Sequence, residues 1–216
     1  EQNESSMKKY LTEFIGTLFL TLVFVLTKNN GTGDMAPLAI GATLMALVYA
    51  GGHLSGGHYN PVITLAMLMR GKVERGDAIY YIVAQMAGAL IAAFLSAFLL
   101  HCQGNVDIRP IQHIVLCSLL AEVLGTFALA YVVLNVMTTR SNSGHSHDGL
   151  AIGFALTAMM YTFGSITGGV FNPALALGIS LTGMSLWSDV WIYFFGALLG
   201  AAAATTMFQV LYGSGD

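Results

Sequence analysis

Apolar stretches of roughly bilayer length alternate with short polar breaks along most of the chain. They run approximately from Tyr10 to Thr27, Ala36 to Gly52, Ala78 to Leu100, His113 to Met137, Gly149 to Gly164 and Leu186 to Tyr212. Each approaches the ~20 helical residues needed to cross a hydrocarbon core of about 30 Å. The pattern predicts six crossings and no soluble domain. Two further apolar stretches, Val62 to Gly71 and Ala174 to Thr182, are too short to cross. At 1.5 Å per residue, about ten residues reach only about 15 Å, half the core. Each is predicted to be a re-entrant half-helix. The extended backbone before it is tolerated at membrane depth only where it is buried in protein or lines water.

The same device precedes both half-helices: Gly56-Gly57-His58-Tyr59-Asn60-Pro61-Val62 and Gly168-Gly169-Val170-Phe171-Asn172-Pro173-Ala174. Asn is a favoured N-cap, and Pro at the first helical position loses no needed N–H. The paired glycines permit close approach of backbone to a solute. While its oxygen caps the helix, the Asn amide retains N–H donors for a passing ligand.

The duplication extends beyond these boxes. At an offset of 112, Leu38-Ala39-Ile40-Gly41 matches Leu150-Ala151-Ile152-Gly153, Ala46 matches Ala158 and Tyr49 matches Tyr161. At an offset of 109, Glu13-Phe14-Ile15-Gly16-Thr17 answers Glu122-Val123-Leu124-Gly125-Thr126. One transmembrane domain over 1–216 is expected, with repeats at about 9–102 and 113–212. Three crossings per repeat invert the second copy relative to the first, so the half-helices enter from opposite faces and meet at Asn60 and Asn172.

Composition agrees with the membrane reading: 56% of residues are hydrophobic and 9% charged. The net charge of −3 and the lack of a basic patch give no reason to expect nucleic acid. Cys102 and Cys117 form neither a disulfide framework nor a metal-ligand spacing. No nucleophile with a base, metal cluster or phosphate loop is apparent, so neither an enzyme nor a cofactor is expected. The polar Glu1 to Ser6 precedes Met7-Lys8-Lys9, which makes Met7 a candidate native start and 1–8 a polar tail or added remnant. The first apolar run lacks a small-residue cleavage site and is read as a helix rather than a signal peptide.

With the N-terminus inside, Lys8, Lys9, Arg70, Lys72, Arg75 and Arg140 are cytoplasmic and only Lys28 and Arg109 are outside. Both termini are therefore expected in the cytoplasm. Glu13 and Glu122 are ionisable groups within spans, and so are candidate functional residues. The run Ser143-Gly144-His145-Ser146-His147-Asp148 reads as a solvated linker, with gating through His145 and His147 as the alternative. Ala84, Gly88, Gly196 and Gly200 suit close helix crossings.

Together, six spans, inverted repeats, paired Asn-Pro boxes and two Glu-x-x-Gly-Thr motifs resemble the aquaporin and glycerol-facilitator family, the major intrinsic proteins. The resemblance covers Lys9 to Tyr212. It implies an all-α membrane fold of six helices plus two half-helices, and a passive channel in the plasma membrane for water or small uncharged solutes. It also implies a homotetramer in the lipid bilayer with one pore per subunit. The pore centre would comprise Asn60, Pro61, Val62, Asn172, Pro173 and Ala174. Carbonyls of Gly56, Gly57, His58, Gly168, Gly169 and Val170 would form an acceptor ladder, and Glu13 and Glu122 would hold the loops through backbone N–H groups.

Departures from the family pattern concern selectivity. Val62 replaces the usual Ala and is expected to narrow the centre. Leu175 stands where most members have the Arg of the outer constriction. By resemblance, that constriction comprises Ile40, Met160, Gly169 and Leu175, all apolar. It is expected either to be wide, admitting glycerol, ammonia, hydrogen peroxide or metalloid hydroxides, or to close on itself. Ala176, where glycerol channels usually carry Asp, and the short loops favour the aquaporin-like branch. An ion-coupled transporter and a closed-pore scaffold are the readings from other classes.

Overall fold

The computed structural model describes residues 2–30, 32–104, 108, 110–112, 114–140 and 146–213. Among the described residues, six long helices carry the fold: α1 Gln2–Asn29, α2 Ala36–Ser55, α4 Arg75–Cys102, α5 Val115–Thr138, α6 Asp148–Thr167 and α8 Val190–Tyr212. Between them lie the short α3 Pro61–Met69 and α7 Pro173–Leu181. All six long helices occur in segments long and apolar enough to cross a membrane. The architecture is the expected all-α arrangement of six crossings and two half-helices.

Helix ends differ from the hydropathy boundaries for local reasons. The first helix starts at Gln2, well before Tyr10, so residues of the expected polar tail are helical. No Pro or Gly interrupts that stretch, and Glu4 pairs with Lys8 one turn later at 2.9 Å. Helices α2 and α6 continue past Gly52 and Gly164 until Gly56 and Gly168 reverse the chain at φ +88° and +85°. The last helix starts later than Leu186 because Trp187–Asp189 forms a separate 3₁₀ turn. His145, Arg109 and His113 lie outside the described residues, whereas His147 immediately precedes α6.

The inverted halves pack alike, α1 against α4 and α5 against α8, with α2 and α6 at the seam. Small residues permit the close approach. A Cβ on Gly88 would lie 2.5 Å from the Phe14 carbonyl oxygen, and one on Gly200 would lie 2.4 Å from that of Val123. At the seam, Gly41 and Gly153 approach each other's carbonyls in the same way. Val83, Phe94, Phe98, Leu116 and Val210 remain exposed, as expected for a surface solvated by lipid. Cys102 and Cys117 are free and exposed.

Candidate functional site

The N-termini of α3 and α7 meet through reciprocal bonds. Asn60 Oδ1 accepts from the Val62 N–H at 3.1 Å, while its Nδ2 donates to the Phe171 carbonyl at 2.9 Å. In the second half, Asn172 Oδ1 accepts from the Ala174 N–H at 2.9 Å, and its Nδ2 donates to the Tyr59 carbonyl at 2.9 Å. The expectation that both amide hydrogens remain available to solute is corrected. One hydrogen of each amide ties the two loops together, leaving one for a ligand. To present these carbonyls, Tyr59 and Phe171 adopt φ +49° and +48°, sparsely populated values for residues with a Cβ.

Each loop is fastened by a fully buried glutamate. Glu13 accepts from the His58 N–H at 3.0 Å, the Tyr59 N–H at 2.7 Å, the Ser55 hydroxyl at 2.7 Å and the Gln85 amide at 2.8 Å. Glu122 accepts from the Val170 N–H at 3.3 Å and the Phe171 N–H at 2.8 Å, beside the Thr167 hydroxyl. Tyr81 and Tyr193 donate to the carbonyls of Ser55 and Thr167 at 2.8 and 3.2 Å. Three residues beyond each glutamate, on the same helix face, a glycine seats the loop's aromatic ring. A Cβ would lie 2.1 Å from the Tyr59 ring at Gly16 and 2.1 Å from the Phe171 ring at Gly125. Glu-x-x-Gly therefore joins a backbone clamp to a ring seat.

The halves differ around that clamp. Gln85 also donates to Thr64 at 2.9 Å, and Thr64 lies 3.1 Å from His58 Nδ1. The repeat offset places Ala197 opposite Gln85 and Ala176 opposite Thr64, so the second half lacks this polar cluster. Glu13→Ala is expected to destabilise the protein by about 2 kcal/mol more than Glu122→Ala, because it leaves more buried donors unpaired. Thermal unfolding of both variants in the same detergent measures this; equal losses would contradict the asymmetry.

A narrow cavity occupies the junction, with a free volume of about 20 Å³, enough for roughly one water. Asn60, Asn172, Gly57, His58 and Val170 reach it, and its apolar wall includes Leu20, Leu44, Leu129 and Leu156. Ile63 and Leu175 complete matching positions on α3 and α7. On the side of the N-terminus, a polar vestibule of about 590 Å³ extends from Lys9, Lys72 and Asp77 to Gly56 and His58. Lys9 and Tyr10 both bind Asp77 there, at 3.0 and 2.6 Å.

The other end is tighter. Ile40, Met160 and Leu175 are 0, 1 and 2% exposed. A Cβ on Gly169 would lie 3.1 Å from Met160 Cα, and one on Gly168 would lie 2.6 Å from Ile111 Cδ1. Thus Met160 and Gly169 come together, while Leu175 reaches the central cavity. Val62 does not: it borders an apolar groove with Pro61 and Pro173, beside α4 and α8 residues including Ile82 and Leu198. Its extra bulk lies behind the half-helix, correcting the expectation that it narrows the centre.

A family profile described as "Major intrinsic protein" matches residues 1–208. The chain belongs to the major intrinsic protein family. Relatives within the family include "Glycerol uptake facilitator protein-like 6" of Lactiplantibacillus plantarum, 36% identical, the match covering 97% of this chain and 100% of that one. "Aquaporin PIP2-5" of Oryza sativa subsp. japonica is 31% identical, over 96% of this chain and 83% of its own length. An X-ray structure of the aquaglyceroporin from Plasmodium falciparum superimposes with a TM-score of 0.78 at 20% identity, covering 96% of each chain, which supports the fold.

Within this major intrinsic protein, sequence reasoning identified the boxes and the glutamates but missed the leucine wall of the cavity and the ring seats. A signal was present: Leu20 and Leu129 share the 109-residue offset, and Leu44 and Leu156 share the 112-residue offset.

Proposed function

We propose that this major intrinsic protein is a passive channel for water and small uncharged solutes, with its pore through the junction of α3 and α7. The observation carrying this reading is the narrow, apolar-walled cavity at two converging helix N-termini, with Asn60 and Asn172 as polar groups. A neutral solute exchanges hydration for the remaining amide hydrogens and loop carbonyls. A cation finds positive helix ends instead. With about half a charge per terminus, about 5 Å separation and an effective dielectric near 20, each repels a monovalent cation by roughly 1.7 kcal/mol. Desolvation adds several kcal/mol. Water donating nothing to the Asn amides turns its own hydrogens along the pore, which interrupts a proton-hopping chain.

In this reading, glycerol, ammonia, hydrogen peroxide and metalloid hydroxides are the candidate solutes beyond water. The protein works as a homotetramer in the plasma membrane with both termini in the cytoplasm and the polar vestibule as the inner mouth. The tight packing of Ile40, Met160 and Gly169 favours a second reading, in which the outer end is slow or gated. Stopped-flow light scattering of proteoliposomes with water, glycerol and a metalloid acid tests transport. Rates above protein-free vesicles are expected for at least one solute, with no added proton conductance. Control-level rates for all would sink the channel reading; a large proton flux would sink the barrier.

A further inference from the structure

We infer that solute selection lies in a second apolar ring at the inner end, formed by Val48, Gly57, Ile63 and Ile152, with Ile63 as its discriminating residue. This rests on the channel reading. The outer quartet Ile40, Met160, Gly169 and Leu175 contains no charge, and neither does its image in the other repeat, so charge does not mark the outer end as the selective one. The repeat offset maps the quartet onto Ile152, Val48, Gly57 and Ile63. The geometry is repeated as well as the letters. A Cβ on Gly169 would lie 3.1 Å from Met160 Cα, and a Cβ on Gly57 would lie 3.4 Å from Val48 Cα.

The two rings differ in bulk and access. Val48 is shorter than Met160 and stands back from the central cavity, which Gly57, Ile63 and Ile152 all reach. Of the outer quartet, only Leu175 does. The cavity therefore extends toward the inner ring, and His58 borders both it and the polar vestibule. A solute must shed water between apolar walls here, with only the Asn60 and Asn172 amides, the loop backbone and the His58 ring to replace it. The outer ring is packed around Met160, whose flexible side chain gives way to large and small solutes alike in this reading.

Stopped-flow measurements on proteoliposomes containing wild type, Ile63→Ala, Ile63→Val, Ile152→Val and Met160→Ala distinguish these roles. Shortening Ile63 to Ala removes three carbons and is expected to raise the glycerol-to-water permeability ratio more than about tenfold, above the scale of a single-methylene change in an apolar site. The two valine variants, which preserve the fold if alanine does not, should shift the ratio in the same direction by less. Met160→Ala should raise both rates with little change in ratio. A ratio that follows Met160 and ignores Ile63 and Ile152 would overturn the inner filter while leaving the channel reading intact. Wild-type rates equal to protein-free vesicles would instead remove the channel reading beneath it.

Discussion

Gly16→Ala is expected to lower the melting temperature sharply and leave little folded protein. The added Cβ would lie 2.1 Å from the Tyr59 ring, so the ring must leave its seat. It cannot simply rotate away. Its hydroxyl donates to the Leu47 carbonyl at 2.8 Å and enters against Gly51, where a Cβ would be 2.3 Å from it. The backbone of Tyr59 is meanwhile held at positive φ by two partners, Glu13 through its N–H and Asn172 through its carbonyl. Losing the buried ring contacts costs about 3 to 5 kcal/mol, and breaking either backbone bond adds about 1 to 3 kcal/mol. Melting in detergent, followed by size-exclusion chromatography, is the check. An unchanged melting temperature would mean that the ring is not confined as described. Gly125→Ala should behave similarly through Phe171, whose ring meets Phe163 edge-on at 6.4 Å. Phe163 occupies the repeat position of Gly51, the glycine that the Tyr59 hydroxyl approaches in the first half.

Leu175→Arg has the largest expected effect on transport. Leu175 borders the central cavity near the N-terminus of α7, facing the same space as Ile63. A guanidinium there would add a full positive charge to a site where the half-helices contribute only partial ones. At about 5 Å and an effective dielectric near 20, it repels a monovalent cation by a further ~3 kcal/mol. It also supplies fixed donors to the solute while consuming part of the small free volume. Glycerol permeability is expected to fall about tenfold or more, the scale set by one such polar and steric change, with water permeability falling less. Stopped-flow water and glycerol rates on the same vesicles provide the ratio. An unchanged ratio would show that position 175 does not border the conducting path.

The features most legible in the sequence were those encoded locally. Helix number follows from apolar length, and the half-helices from runs too short to cross, each begun by Asn-Pro. Their inverted relation follows from the odd number of spans in each repeat. Helix ends were less legible because charge and hydropathy do not report hydrogen bonding: α1 simply continues back through Glu4 and Lys8, and α2 and α6 run on until glycine reverses them. At the site, Glu13 and Glu122 stood out as charges in apolar runs, but their partners did not. The bonds from Asn60 and Asn172 span 111 and 113 residues, and no short-range pattern encodes such separations. Side-chain direction was also hidden. Val62 and Ile63 are neighbours, yet one faces the groove beside α4 and α8 and the other the central cavity.

The reciprocal amide bonds also bear on biosynthesis. Asn60 and Tyr59 are made in the first half of the chain, but the groups that complete their bonding, at Phe171 and Asn172, are translated over a hundred residues later. At 5 to 20 residues per second, that delay is on the order of ten seconds. During it, the first loop sits in or beside the bilayer with an amide hydrogen and a carbonyl unmet, a costly condition in hydrocarbon. Neither half can reach its final arrangement alone, so the nascent first repeat is a waiting intermediate, and truncation before Phe171 yields a chain exposed to membrane quality control.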